Sequence, residues 1–243
     1  MKSLFVRTWA LVFGLTCALS GCASPPRDQA FNKVANAGIH RIALLKVPEA
    51  DLRVINIGGA LGGFGLIGAA LAESDEDSKS QAFAVSVGGR ARLGELLTQT
   101  LATELEKSGY EVTVEAQRPV TDAGPDTAKV NEKADYSNVK TDADAIMDVS
   151  FLGAGYLSPA GSSVYMPWLH LRARLVSPGG RAQLFFQFMV YGAKFPQTKE
   201  YFASRPQYSY GDFDSLMKDP NAAAEGLTAG LGPIATRIAQ QLR

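Results

Sequence analysis

Apolar positions recur with two different periods along this chain, and each period predicts a class of element. Residues 91–108 carry a leucine at every fourth position, with charged residues elsewhere, which predicts an amphipathic helix that ends at Gly109. Residues 40–47 form a short apolar run that predicts a buried first strand. Residues 110–115 alternate in polarity and predict a second strand directly after the helix.

The second half of the chain predicts three further strands and a terminal helix. The strands cover residues 145–152, 168–176 and 182–191, and the Ser-Pro-Gly-Gly turn at 177–180 predicts a hairpin between the last two. In the first hairpin arm leucine and alanine alternate with Trp168, His170, Arg172 and Arg174, which predicts one buried and one polar face. A helix is predicted to begin at Asp219-Pro220 and to kink at Gly232-Pro233.

This order of elements predicts an α/β fold, in the sense of an α+β sandwich. Its mixed sheet has about five strands with helices packed on it. We expect residues 40–243 to form a single domain, because a chain of this length buries one good core.

The first residues predict export and a lipid anchor. Lys2 and Arg7 precede an apolar run at 9–19 that is too short to span a bilayer, so residues 1–21 are predicted to be a signal peptide. Leu19-Ser20-Gly21-Cys22 resembles the lipobox of bacterial lipoproteins, which implies cleavage before Cys22 and acylation of that residue. Residues 22–39, with Pro25-Pro26, are then predicted to be a tether. Ala23, where many inner-membrane lipoproteins carry Asp, implies an outer-membrane location facing the periplasm.

Composition narrows the chemistry that the mature chain can carry. Removal of Lys2 and Arg7 leaves 22 of 24 basic residues against 24 acidic ones, which provides no basic stripe for nucleic acid. Cys17 leaves with the signal and Cys22 would carry lipid, so neither disulfide nor thiolate chemistry is expected. His40 and His170 lack ligand-spaced partners and are interpreted as structural. We therefore predict no catalytic residue, no metal site, no cofactor and no enzymatic activity.

Four pieces of the sequence carry a family resemblance. They are HRIALLKV, LGELLTQTLATELEKSGYEV, ADAIMDVSFL and LHLRARLVSPGGRAQLFF. They resemble the periplasmic α/β module of the TolB amino-terminal domain, the curli secretion channel protein and penicillin-binding-protein activator lipoproteins. The resemblance covers about half the mature chain and implies a fold rather than an activity.

Residues 54–72 form a glycine-rich apolar insert without a charge. The favoured interpretation is a loop packed between a strand and a helix. The alternative is membrane insertion or self-association through small-residue spacing at Gly58, Gly59, Gly62 and Gly63, next to Phe64. The G-x-G-x-x-G at 63–68 does not directly follow a strand and lacks the acidic residue of a dinucleotide site.

The remaining candidate residues lie in a segment rich in aromatic side chains. Its members are Tyr201, Phe202, Tyr208, Tyr210 and Phe213. They are interpreted either as anchors that fix an irregular segment to the core or as contacts to a partner.

The resulting prediction is a non-enzymatic, membrane-anchored envelope lipoprotein that acts as a periplasmic protein-interaction or assembly module. The partner is an unidentified envelope protein or a second copy of the chain. The alternatives are an oligomeric membrane-inserting or secretion component and a peptidoglycan-binding module.

Overall fold

The computed structural model describes residues 28–57, 74–121, 134–194 and 199–243. These residues form a seven-stranded mixed sheet with helices packed on one face, which confirms the predicted α/β class with a higher strand count. The strand order is β3-β1-β6-β7-β8-β9, with β2 also paired to β6, and β4 and β5 form a separate small ribbon.

The strands are β1 (Arg41–Leu45), β2 (Leu52–Asn56), β3 (Glu111–Glu115), β4 (Val120–Thr121), β5 (Ala134–Asp135), β6 (Ala145–Ser158), β7 (Met166–Val176), β8 (Gln183–Gly192) and β9 (Glu200–Phe202). The helices are α1 (Ser74–Ala91), α2 (Leu93–Lys107), α3 (Phe213–Met217), α4 (Pro220–Thr228) and α5 (Leu231–Gln241). The β6-β7-β8 meander is antiparallel, whereas β3, β1, β2 and β9 pair in parallel with their neighbours.

The main core lies between the sheet and the helices. The four leucines of the predicted helical stripe are at most 1% exposed and pack with the apolar sides of α1, α4 and α5. Alternate residues of the strands point to the other face, where two smaller apolar clusters form around Leu45 and around Trp168. No described helix contributes a residue to either small cluster, so we call this the helix-free face.

The long strand β6 supports two parallel neighbours on the same side. β1 pairs with its beginning, at residues 145–147, and β2 pairs with its end, at residues 154–158. At Gly155, φ is +140° and an added Cβ would lie 1.8 Å from the Arg53 carbonyl oxygen. Glycine at this position therefore permits the close approach of β2.

Most predicted elements are confirmed, but two near the glycine-rich insert need correction. Residues 54–56 do not open that insert; they form the end of β2, because Leu52 and Val54 bury one side of a strand paired to β6. Helix α1 was not predicted, since its sequence SDEDSKSQAFAVSVGGRA is largely polar. From residue 77 onward, where the burial of its side chains is described, its buried stripe consists of Phe83, Val87 and Ala91. Gly58, Gly59, Gly62, Gly63 and Phe64 lie outside the described residues.

The C-terminal region forms two helices rather than one kinked helix. Asp219 caps α4 as predicted, accepting hydrogen bonds from the backbone N–H groups of Asn221 and Ala222. The chain breaks at residues 229–230, before Gly232-Pro233, and Pro233 lies in the first turn of α5, where proline costs no hydrogen bond. The break is packed against the Tyr191 ring, which an added Cβ on Gly230 would approach to 2.5 Å.

Candidate functional site

The N-terminal chain is attached to the sheet at the β8 edge. The backbone groups of Gln29 and Phe186 exchange two hydrogen bonds of 2.8 and 2.9 Å. The Gln29 side-chain amide donates to the Gln183 carbonyl oxygen at 2.7 Å and accepts from the Gln183 amide at 2.9 Å. Phe31 and Ile39 pack against the main core. The structure thus places residues 28–39, the second part of the predicted tether, against the folded domain.

Two exposed lysines lie beside β9, the outermost described strand on that side of the sheet, and one of them, Lys199, contacts the N-terminal chain. Lys199 forms an ion pair with Asp28 at 3.4 Å and is 76% exposed. The Lys194 ammonium lies 5.4 Å from the centre of the Tyr201 ring, and the Tyr201 hydroxyl donates to the Gly192 carbonyl oxygen at 2.9 Å. We call Asp28, Lys194, Lys199 and Tyr201 the anchor edge.

The opposite edge of the sheet is β3, which pairs only with β1 among the described strands. Glu111 donates its N–H to the His40 carbonyl oxygen, so its backbone faces β1. In a parallel ladder the backbone groups of alternate residues face opposite sides, which points the N–H groups of Val112 and Val114 outward. Val114 is 49% exposed. This edge therefore offers outward-facing backbone groups with no partner strand in the described part of the chain, beside an exposed valine and between two glutamates.

The helix-free face contains a buried charged cluster. Asp148 is 2% exposed and accepts hydrogen bonds from Arg118 Nη2 at 2.7 Å and from the Tyr136 hydroxyl at 2.8 Å. Burial, followed by the nearby Asp148 carboxylate, raises the pKa of Tyr136 far above its ordinary value. At neutral pH Tyr136 is a donor that stabilises the carboxylate, so the cluster ties the segment carrying residues 118 and 136 to the sheet.

The face of β7 that was predicted to be polar is also buried, as its two arginines show. Arg172 and Arg174 are 3% and 8% exposed, so both faces of this strand are buried. Arg174 lies over the Phe186 ring at 5.3 Å, and Arg172 Nη2 donates to Ser150 Oγ at 3.1 Å. These contacts bury the guanidinium groups while preserving favourable partners for them.

The two histidines lie apart. The backbone N–H of His40 donates to Asp144 Oδ2 at 3.0 Å at the beginning of β1. His170 is on the helix-free face, where burial lowers its pKa to about 4, so the imidazole is neutral at physiological pH. No group of three His, Cys, Asp or Glu side chains with metal-binding geometry occurs in the described ranges.

The predicted aromatic contacts are distributed over the domain rather than gathered on one surface. Tyr208 is 3% exposed and its hydroxyl donates to Glu225 Oε1 at 2.8 Å. Tyr210 forms a backbone bridge with Tyr165, and its ring contacts the Tyr156 ring edge-on at 5.5 Å. Phe202 and Phe213 pack against the main core, whereas Tyr201 packs with the cluster around Trp168. A contact of these residues with a partner stays a prediction.

Sequence reasoning missed both Asp148 and the anchor-edge lysines. The signal for Asp148 was available: an aspartate inside the apolar strand AIMDVSFL requires a buried partner. Lys199 and Lys194 gave no such signal. Lys199 meets Asp28 only in the folded chain, and Lys194 meets the Tyr201 ring only there. Cys22 lies outside the described residues, and within them no helix is both long and apolar enough to cross a membrane.

No family model and no curated protein matches this chain. Among solved structures, the PelC dodecamer from Paraburkholderia phytofirmans is 8% identical, with a TM-score of 0.32, over 87% of this chain and 93% of that one. A DUF330 protein from Xanthomonas campestris is 12% identical, with a TM-score of 0.36, over 83% and 84% of the two chains. A neuraminyllactose-binding hemagglutinin homologue from Helicobacter pylori is 12% identical, also with a TM-score of 0.36, over 90% and 87%. Similarities this low carry no argument about activity, partner or assembly.

Proposed function

We propose that this chain is a non-enzymatic outer-membrane lipoprotein whose α/β domain binds another envelope protein in the periplasm. The lipid anchor is Cys22, the first residue after the predicted signal peptide. The sequence resemblance to TolB-type modules implies a fold and not a function. The proposal adds a binding function to that fold.

The exposed edge of β3 is the observation that carries the binding function. An extended segment can add to such an edge through main-chain hydrogen bonds, while its alternate side chains provide specificity. Val112 and Val114 favour apolar side chains on one face of the added strand. Glu111 and Glu115 lie at both ends of β3 on the other face and favour basic ones. The partner is therefore an envelope protein with an extended segment that alternates apolar and basic residues.

Photo-crosslinking in intact cells tests this function. A photoreactive amino acid at Val114 should yield a cross-linked product with one discrete partner. The same amino acid at Val85, which is 79% exposed on α1, provides the control and should yield no such product. A product with the mass of two copies would replace the heterologous partner by self-association through β3, and equal products at both positions would refute a specific role of this edge.

Val114→Pro examines the same edge by removing one outward N–H. Proline is tolerated on an edge strand where its nitrogen faces away from the ladder, so the variant should fold and lose at least tenfold in the cross-linked product. Thr113→Pro is the matched control, because the Thr113 N–H faces β1 and its loss should lower the free energy of unfolding. Undiminished capture by a folded Val114→Pro variant would contradict strand addition.

A further inference from the structure

We propose that the anchor edge lies against the lipid headgroups of the membrane that holds the acylated Cys22. This inference rests on the proposed lipoprotein function and adds an orientation to it. It assigns Lys194, Lys199 and Tyr201 to the lipid surface and leaves β3 on the opposite side of the domain.

The first argument is the length of the connection. Six residues lead from Cys22 to Asp28, the first described residue. A chain spans at most about 3.3–3.6 Å per residue, so Asp28 stays within roughly 20 Å of the acylated residue whatever path the chain takes.

The second argument is that this short connection ends at a fixed place. Asp28 pairs with Lys199, and Gln29 forms four hydrogen bonds with β8 residues. Those contacts attach the chain to one edge of the sheet. The lipid anchor is therefore connected to the domain at that edge, which restricts how the domain can turn relative to the membrane.

The third argument is the chemistry of the edge. Lys194 and Lys199 are exposed, and ammonium groups interact favourably with lipid phosphates. Tyr201 is partly exposed beside Lys194, with its ring against the cluster around Trp168 and its hydroxyl bonded to Gly192, and tyrosine is enriched at membrane–water boundaries. The one acidic side chain of β9, Glu200, is neutralised from the helix side by two hydrogen bonds from Arg237, of 2.8 and 2.9 Å. It therefore does not oppose the two lysines, and the ion pair with Asp28 leaves the Lys199 side chain 76% exposed.

The anchor edge at β9 and the proposed binding edge at β3 lie at opposite ends of the sheet. Five strand spacings of about 4.8 Å lie between β9 and β3, so roughly 24 Å separate the membrane side from the proposed partner site. A partner segment could reach β3 without competing with lipid.

Site-specific fluorescence quenching tests the orientation in the full acylated protein. Acylated Cys22 has no free thiol, so one introduced cysteine provides a unique label. The label is placed at Lys194→Cys, at Lys199→Cys as a second position, and at Thr113→Cys on β3 as the control. The proteins are reconstituted in phosphatidylethanolamine and phosphatidylglycerol vesicles that contain a headgroup nitroxide lipid.

The expected result is quenching at positions 194 and 199 at least threefold greater than at position 113. Equal quenching at the two edges, or stronger quenching at position 113, in protein that mass spectrometry shows to be acylated would overturn the orientation and leave the lipoprotein function intact. Protein without lipid on Cys22 would overturn both. Circular dichroism verifies that each labelled variant is folded.

Discussion

Two polar residues on the helix-free face, the buried Asp148 and the partly buried His170, are accommodated in different ways. Asp148 keeps direct partners in Arg118 and Tyr136. His170 lies in a strand that is covered on both faces, and desolvation favours its uncharged form. The first residue holds a loop segment to the sheet, and the second should make the stability of the folded chain depend on pH.

Acidification from pH 7 to pH 5 should destabilise the protein through His170. Its pKa is about 4 in the folded chain and ~6.5 in the unfolded chain, so protons bind preferentially to the unfolded state as the pH falls below 6.5. The expected loss in the free energy of unfolding is about 2 kcal/mol at pH 5, measured by urea denaturation. His170→Gln removes the titrating group and should flatten this dependence. An equally steep dependence in that variant would assign it to other groups.

At the level of elements, the beginning of α2 is held by the loop that follows β1. Both Glu49 carboxylate oxygens accept hydrogen bonds from the helix, one from the Gly94 N–H at 3.1 Å and the other from the Glu95 N–H at 3.0 Å. These bonds satisfy donors that have no partner within the helix and place a negative charge at its positive end. The loop also comes very close, since a Cβ on Gly94 would lie 2.6 Å from the Pro48 carbonyl oxygen.

Two glycine-to-alanine substitutions should therefore have opposite effects. Gly94→Ala should lower the free energy of unfolding by about 1–3 kcal/mol, because the new methyl group meets backbone atoms that cannot move independently. Gly89→Ala in α1 meets nothing within 4 Å and should raise it by about 0.5–1 kcal/mol through helix propensity. Thermal and urea unfolding of both variants measure the difference. A stabilising effect at Gly94 would show that the Pro48 loop adapts freely.

The elements also differ in how well their own sequences predict them. The α2 stripe and the β7-β8 hairpin were predicted because leucine spacing and the Ser-Pro-Gly-Gly turn are local signals. β9 has three residues and becomes a strand only through pairing with β8. β2 was not predicted because its sequence runs directly into the glycine-rich insert. α1 was not predicted because it has too few apolar residues to show a helical period.

For the whole molecule, we predict that acylation depends on a single residue, Cys22. Cys22→Ala should abolish acylation, because the lipid is joined to the sulfur and amino groups of that residue. Mass spectrometry of the intact protein measures this effect. Cys17→Ala is the matched control and should leave acylation unchanged, since Cys17 lies within the predicted signal peptide. A wild-type protein that retains residues 1–21 would contradict the prediction.

The sequence alone determined the elements that depend on local order. The amphipathic period predicts α2, and alternation and turn residues predict the meander. The tetrad ending at Cys22 predicts an anchor that lies outside the described residues. The tertiary structure decided what depends on residues far apart in the chain. It paired β1 and β2 with the same strand, buried both faces of β7, and brought Asp28 to Lys199. Such contacts arise from strand pairing and close packing, which no local pattern encodes, so the two edges that carry the proposed functions are visible only in the folded chain.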